Sequence, residues 1–348
     1  MLRKLSYLVC IAACCATSCS KSKPDPFSVK DWIDQQRKDT PQYTGPKVRL
    51  DVQFTPGSYT LTDTVETKQQ IVSRDEERST EERVTLAGDV EISRPDRSRG
   101  QTVRYTCRRV QQTSSARGGT QSYDSAGPAD KQPKDLAAIL APLVGWQATV
   151  RVRDGKYTKV EGLDSLVAKL SESLPPGTAK QVVPKLQNKM QTFLKHLLVK
   201  HWGKLMPAQA VGPGDTWDVQ ISVPAVPFLG DTTFDCTCLL QDIEEVKGSK
   251  VAILAFASTA VVKAQTVDLS MLGPMPLQGE ISKMEFITTG TAHFDLGVGL
   301  CTKTAVEMKG QGRMLVRGPK NESAKWAFSI QAKAENTLTP QPATSGTE

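Results

Sequence analysis

The sequence predicts a mainly β, β-rich α+β fold: a large curved antiparallel sheet, or two related half-barrel-like sheets, covered by one long helix and several short ones. Three observations carry this. Roughly twelve segments alternate apolar and polar residues with period two, the pattern of strands with one wet face. Turn dipeptides punctuate them, at Pro56-Gly57, Asp154-Gly155 and Lys247-Gly248. Residues 179–201 are helical instead: Val182, Val183, Leu186, Met190, Phe193, Leu194, Leu197 and Leu198 recur every three or four residues, while Lys185, Lys189, Lys195 and Lys200 point mostly elsewhere. That amphipathic block, with Pro184 near its start, is read as the lid of the sheet. So many strands cannot stay flat, so curling or division into two parts is expected.

Taken in order, Met1 to Lys4 is basic, residues 5–16 are short and apolar, and Ala16-Thr17-Ser18-Cys19 follows. This is a secretory signal, too short to span a bilayer. The cysteine after small residues resembles the bacterial lipoprotein signal, with Cys19 the lipidated first residue; Ile11-Ala12-Ala13-Cys14 is a second match with a shorter leader. In such lipoproteins a serine next to the cysteine, here Ser20, implies the outer membrane, with the chain facing the periplasm or the cell surface. Residues 19–47 read as a Pro- and Lys-containing tether with a short helix over 29–37.

Residues 48–335 form the folded domain, divisible into halves 48–162 and 211–335 around a helical block 163–206. Val48, Leu50, Val52 and Phe54 begin the first strand series, followed by Tyr59, Leu61, Val65 and Ile71. A charged loop at 74–83 leads to Val84, Leu86, Val90 and Ile92, then to a strand at 101–112 with Val103, Tyr105 and Cys107 on one face. Residues 118–133 are turn-rich, and 134–143 form a short helix. Trp146, Ala148, Val150 and Val152 alternate into a hairpin through Asp154-Gly155, before a helix over 163–174. In the second series Trp217, Val219, Ile221 and Val223 share a face, as do Phe234, Cys236, Cys238 and Leu240. Residues 251–262 are apolar on both faces and therefore central. Met284, Phe286, Ala292 and Phe294 alternate next, and Gly310-Gln311-Gly312 reads as a turn or bulge. Trp326, Phe328, Ile330 and Ala332 stand opposite Lys325, Ser329, Gln331 and Lys333. Residues 336–348 read as a disordered tail.

Val211-Gly212-Pro213-Gly214-Asp215-Thr216-Trp217 opens that second series. It follows Asp154-Gly155-Lys156, Val160-Glu161-Gly162 and the Leu205-Met206-Pro207 bend, and precedes Gly290 to Phe294 with Asp295 and Gly299. The arrangement resembles an uncharacterised family of bacterial envelope lipoproteins, a domain of unknown function, over about 48–333. The resemblance implies envelope location and fold class, and no activity. A curved sheet with helices across its concave side is also similar, at the level of fold, to periplasmic lipoprotein carriers.

The net charge of +7 falls to +5 without the first eighteen residues, and aromatic residues make up 6%. There is no basic stripe with stacking residues, which argues against a nucleic-acid partner. Of the three histidines, His196 and His201 are five apart and do not stack as a ligand pair, while His293 stands beside Asp295 on a wet face. No nucleophile elbow, zinc-protease, P-loop or dinucleotide motif is present. Catalytic residues, metal ligands and cofactors are therefore expected to be absent. Asp215 is read as bonding to its own turn, with Trp217 plugging the core edge. Among the cysteines, Cys107 with Cys236 or Cys238 is the favoured disulfide; a direct Cys236–Cys238 bridge needs a bend, and Cys301 has polar parity.

The functional expectation is a non-enzymatic envelope lipoprotein acting as a scaffold or binding module. The alternatives are a carrier or sensor of a lipid or other hydrophobic molecule, and a periplasmic hydrolase. Phe193, Leu197, Trp217, Phe286, Phe294 and Trp326 are the candidate groove lining. Expected partners are the membrane, through the N-terminal lipid, and a hydrophobic small molecule or an envelope protein.

Overall fold

The computed structural model describes residues 27–38, 40, 43–73, 77–96, 100–116, 119–153, 156–173, 205–226, 230–262, 265–268, 278–317 and 323–341. Thirteen strands form one antiparallel sheet: β1 (Gly57–Val72), β2 (Glu77–Ile92), β3 (Gln101–Ala116), β4 (Gly119–Asp124), β5 (Gln147–Arg153), β6 (Lys156–Glu161), β7 (Thr216–Val226), β8 (Gly230–Val246), β9 (Ser249–Val262), β10 (Gln265–Asp268), β11 (Gln278–Asp295), β12 (Leu300–Arg317) and β13 (Ser323–Pro340). Their order is β6-β5-β3-β2-β1-β13-β12-β11-β9-β8-β7, with β4 on β3 and β10 on β11. Among the described residues β6 and β7 do not pair, so the ladder is open rather than closed into a barrel. The two halves read from the sequence belong to one sheet, because β1 pairs along its length with β13.

Alternation explains most of this. Tyr59, Leu61 and Val65 of β1 are buried, opposite Val90, Gly88 and Val84 of β2. Several elements run longer than their apolar pattern. Residues 77–83, expected as loop, extend β2 because opposite charges line its outer face against β1: Lys68–Glu81 at 2.8 Å and Arg83–Glu66 at 3.3 Å. The turn-rich stretch contains β4, which pairs with the end of β3. Gly310 and Gly312 do not interrupt β12; both sit in its ladder with β11 and β13. The tail expected from 336 is ordered through Pro340, where β13 pairs with Tyr59. Conversely, residues 48–56 form an extended strap, not a strand. It is tied by the Val48–Val211 bridge and by Gln53 N–H donating to Gly299 O at 2.8 Å.

Three α-helices are described, α1 (Val29–Lys38), α2 (Lys134–Leu140) and α3 (Leu163–Ser173), besides short 3-10 turns at Ala129–Lys131 and Ala141–Leu143. Helix α1 lies inside the segment expected to be a tether. Its Ile33 packs with Leu239, Ala255 and Ala257 on the outer face of β8 and β9, with Val29 and Trp32 alongside. That explains why β9 is apolar on both faces. Helices α2 and α3 pack Leu136, Leu140, Leu166 and Leu170 onto the inner face of β2, β3 and β5. The signal and lipid-attachment cysteine Cys19, and the long helix expected over 179–201 with Phe193 and Leu197, lie outside the described residues.

Candidate functional site

The inner face of the sheet divides into three apolar clusters. The first lies under α2 and α3 and includes Tyr105 and Trp146, whose rings meet edge-on at 6.4 Å. The second joins Cys236, Cys238, Leu240, Leu254, Phe256, Phe294 and Cys301 to Leu50 of the strap and to Leu205 and Val211. The third, among the described residues, is built from strand side chains: buried Phe234, Ala260, Ile281, Met284, Phe286 and Val316, flanked by half-buried Met308, Met314, Trp326 and Phe328.

Of the candidate groove residues, Trp217 and Phe294 fall in the second cluster, while Phe286 and Trp326 fall in the third. They share a face without forming one compact site. Trp217 is anchored, its Nε1–H donating to Leu205 O at 2.7 Å. Sequence reading placed Phe328 on one face with Trp326 without counting it as lining, and missed Met308 and Met314, whose signal was the same alternation carried through the glycines of β12.

Those glycines set the shape of the face. A Cβ on Gly310 would stand 2.7 Å from the Phe286 ring, and one on Gly290 would stand 2.5 Å from the Phe256 ring. Each ring therefore lies across a bare stretch of the neighbouring strand. Flattened rings make a low apolar floor, where upright rings would fill the layer above the sheet.

One polar row crosses this face. Asp63 of β1 is opposite Asn336 of β13, which is opposite Thr304 of β12. Asp63 shares its parity with buried Leu61 and Val65. It is crowded by protein, yet retains partial solvent contact. Burial alone raises its carboxyl from 3.8 to about 6. Among the described residues no hydrogen bond or ion pair satisfies it. It escaped sequence reading because one Asp in an alternating strand looks like one more polar residue.

The other candidates resolve into structure. Asp215 accepts from Gly212 N–H at 2.9 Å and pairs with Lys47 at 2.7 Å, which together hold its carboxyl below the usual range. Asp295 Oδ1 accepts from Ser249 Oγ and from the N–H groups of Gly297 and Val298, so it is committed to its turn. His293 is half-buried, and burial followed by nearby Lys303 keeps its imidazole below the usual value. Among the described residues no group of three or more His, Cys, Asp or Glu side chains is placed to hold a metal ion.

All four described cysteines are free and buried. The favoured Cys107 pairing is not made: β3 and β8 are seven strands apart in the ladder, and Cys107 belongs to the first cluster. Cys236 and Cys238 share the second cluster, where their mutual hydrogen bond and burial push the Cys238 thiol up. Cys301 joins them despite its polar parity. The register slips between His293 and Phe294, leaving Thr302 as an extra residue and turning Cys301 inward opposite Phe294. A separate open cleft of about 640 Å³ lies between the strap at 52–56, Pro95, Asp96, Gly100, Gln101 and Val152-Arg153. Its lining mixes polar and apolar groups, and none of the three residues of the polar row lines it.

Comparison with known proteins adds the following. The model of a family described as "Family of unknown function (DUF6263)" matches residues 100–296, more than half of the chain. No curated protein matches. Among solved structures, one titled "Lipid-protein interactions in lipovitellin" aligns at 12% identity with a TM-score of 0.38, covering 84% of this chain and 26% of that one. The chain thus spans about a quarter of that structure's length. OpdQ of Pseudomonas aeruginosa aligns at 6% identity and a TM-score of 0.18, over 81% of this chain and 99% of that one. A porin of Rh. blastica aligns at 6% and 0.20, over 80% and 99%.

Proposed function

We propose, from the premise that the chain belongs to the DUF6263 family and from the layout of its inner face, that it carries or senses a lipid or other hydrophobic molecule. The molecule lies against β11, β12, β13 and β1. The observation that carries this reading is the third cluster. Met308, Met314, Trp326 and Phe328 remain half-buried there, and the cluster contains no side chain from α2, α3 or the strap. Methionine and aromatic side chains suit such a role, since they adapt to irregular apolar shapes. Rings held flat over glycine leave depth for a chain-like ligand. A scaffold with a solid core, the first expectation from sequence, fits the region under α2 and α3 better than it fits this one.

We also propose that the protein is tethered to the bacterial outer membrane through lipid on Cys19, which would place the sheet beside a source of hydrophobic ligand. The support is the Ala16-Thr17-Ser18-Cys19 sequence and Ser20 after it. Retention of a Cys19→Ala variant in the membrane fraction would count against the anchor.

The carrier reading is tested by delipidating the purified protein and titrating an apolar fluorescent probe. Saturable uptake, reduced at least tenfold by Phe328→Glu, is expected. Absence of uptake by the intact fold, together with a native mass that carries no ligand, refutes the reading.

A further inference from the structure

We propose that the Asp63–Asn336–Thr304 row holds the protonated amine of a single-chain amphiphile, whose tail runs along β12 and β13 toward Phe328 and Trp326. This rests on the carrier reading and assigns its ligand a head group.

The placement comes from register. Asp63, Asn336 and Thr304 are consecutive partners across β1, β13 and β12, on the same face as the apolar clusters. Moving along the strands from this row, the next partners are Val65, Ala334 and Val306. Then come Thr67, Ala332 and Met308, then Gln69, Ile330 and Gly310, then Ile71, Phe328 and Gly312. The centre of this track is small, with alanine at 334 and 332 and glycine at 310 and 312. From Asn336 to Phe328 it spans eight residues, about 26 Å at the rise of a strand. It ends in the aromatic and methionine cluster, with Arg78 of β2 beside Ile71 at that end, so the carboxylate stands at one end only.

Charge selects the head group. A carboxylate surrounded by apolar groups is costly unless a cation or hydrogen-bond donors satisfy it. On the elements around Asp63 the facing titratable groups are Tyr105 and Cys107 of β3 and, two rows away, Glu82 of β2, which Gln112 bonds. None is a cation. Asn336 can add a carbonyl acceptor and Thr304 a hydroxyl, and neither side chain makes a hydrogen bond among the described residues. Three acceptors around one anionic oxygen pair match an ammonium, which offers three N–H donors. An anionic head would meet repulsion at the same point.

Burial sets the pH at which this works. With Asp63 raised to about 6, its carboxylate is ionised at pH 7.5 and largely protonated at pH 5, while an alkylamine remains charged at both. The test displaces an apolar fluorescent probe from the full-length protein with dodecylamine, dodecanol or dodecanoate. Wild type should prefer dodecylamine over dodecanol at least tenfold at pH 7.5, and that preference should fall about tenfold at pH 5. Asp63→Asn should abolish the preference. Glu66→Gln, on the outer face of the same strand, should change neither. Equal binding of amine and alcohol by wild type, preference for dodecanoate, or an amine preference surviving in Asp63→Asn overturns the head-group assignment and leaves the carrier reading standing. If none of the three compounds displaces the probe, both are overturned.

Discussion

Replacing Asp63 by Asn should stabilise the protein, and by an amount that depends on pH. The carboxyl titrates near 3.8 in an unfolded chain and is raised to about 6 in the fold by burial. That difference is worth about 3 kcal/mol. The folded state holds the Asp63 proton more tightly than the unfolded state does. The stability this provides is therefore complete below pH 3.8 and lost as pH rises through 6. At pH 8 the native state should lie about 3 kcal/mol short of what a neutral residue of the same shape would give, and at pH 4.5 only about 1 kcal/mol short. Solvent contact at Asp63 makes these ceilings. Urea unfolding of wild type and Asp63→Asn, followed by tryptophan fluorescence at both pH values, isolates the effect. The other carboxylates titrate alike in the two proteins and cancel in the difference. The expected result is a gain about 2 kcal/mol larger at pH 8 than at pH 4.5. A gain equal at the two pH values, or a loss at pH 8, would show that Asp63 is solvated or already paired, and would refute the reasoning.

Gly310→Ala should destabilise by about 1–2 kcal/mol, because its Cβ would force the Phe286 ring to lift. Gly290→Ala should cost more in the same urea experiment, since its Cβ would also stand 2.7 Å from the backbone oxygen of Ala305, which cannot swing aside; the reverse order would contradict the flat-ring geometry. Trp217→Phe keeps the apolar ring and removes the donor to Leu205 O, so a loss of about 1 kcal/mol is expected, and no change would make that hydrogen bond dispensable.

Period-two alternation made the strands legible wherever one face was apolar, as in β13 from Trp326 to Ala332. It failed where pairing rested on something else. The start of β2 is held by cross-strand ion pairs, so its charges read as loop. Gly310 and Gly312 read as a break because what fills the space over Gly310, the Phe286 ring, comes from a different strand. Cys301 was assigned to the wet face because one extra residue at Thr302 inverts the parity, and a bulge leaves no mark in the hydropathy of a single strand. Asp63 is the instructive miss at the candidate site. In sequence it continues the polar run Thr62–Asp63–Thr64, and only the odd register of Tyr59, Leu61 and Val65 turns it inward. The lining candidates were chosen for size and apolarity, which could not say which cluster each would join.

The residues matched by the family model should not fold as one unit without the rest of the chain. Residues 100–296 supply β3 to β6 at one end of the sheet and β7 to β11 at the other. Between them in space run β2, β1, β13 and β12, all from outside the matched segment. A chain of residues 100–296 would expose one long edge of β3 and another of β11, with no strand to join them. Expressed alone, it should lack the single cooperative urea transition of the full-length protein and sediment as a concentration-dependent mixture. One cooperative transition from a monomer would show that the two ends pair directly, and would refute the sheet order. The four bridging strands also carry Asp63, Thr304, Asn336, Met308 and Phe328. The matched segment thus builds the flanks of the sheet, including Phe234, Ala260, Ile281, Met284 and Phe286 of the third cluster, while the polar row and the track beside it are made by strands outside it. Ligand preference could therefore change through these bridging strands alone, with the flanks left as they are.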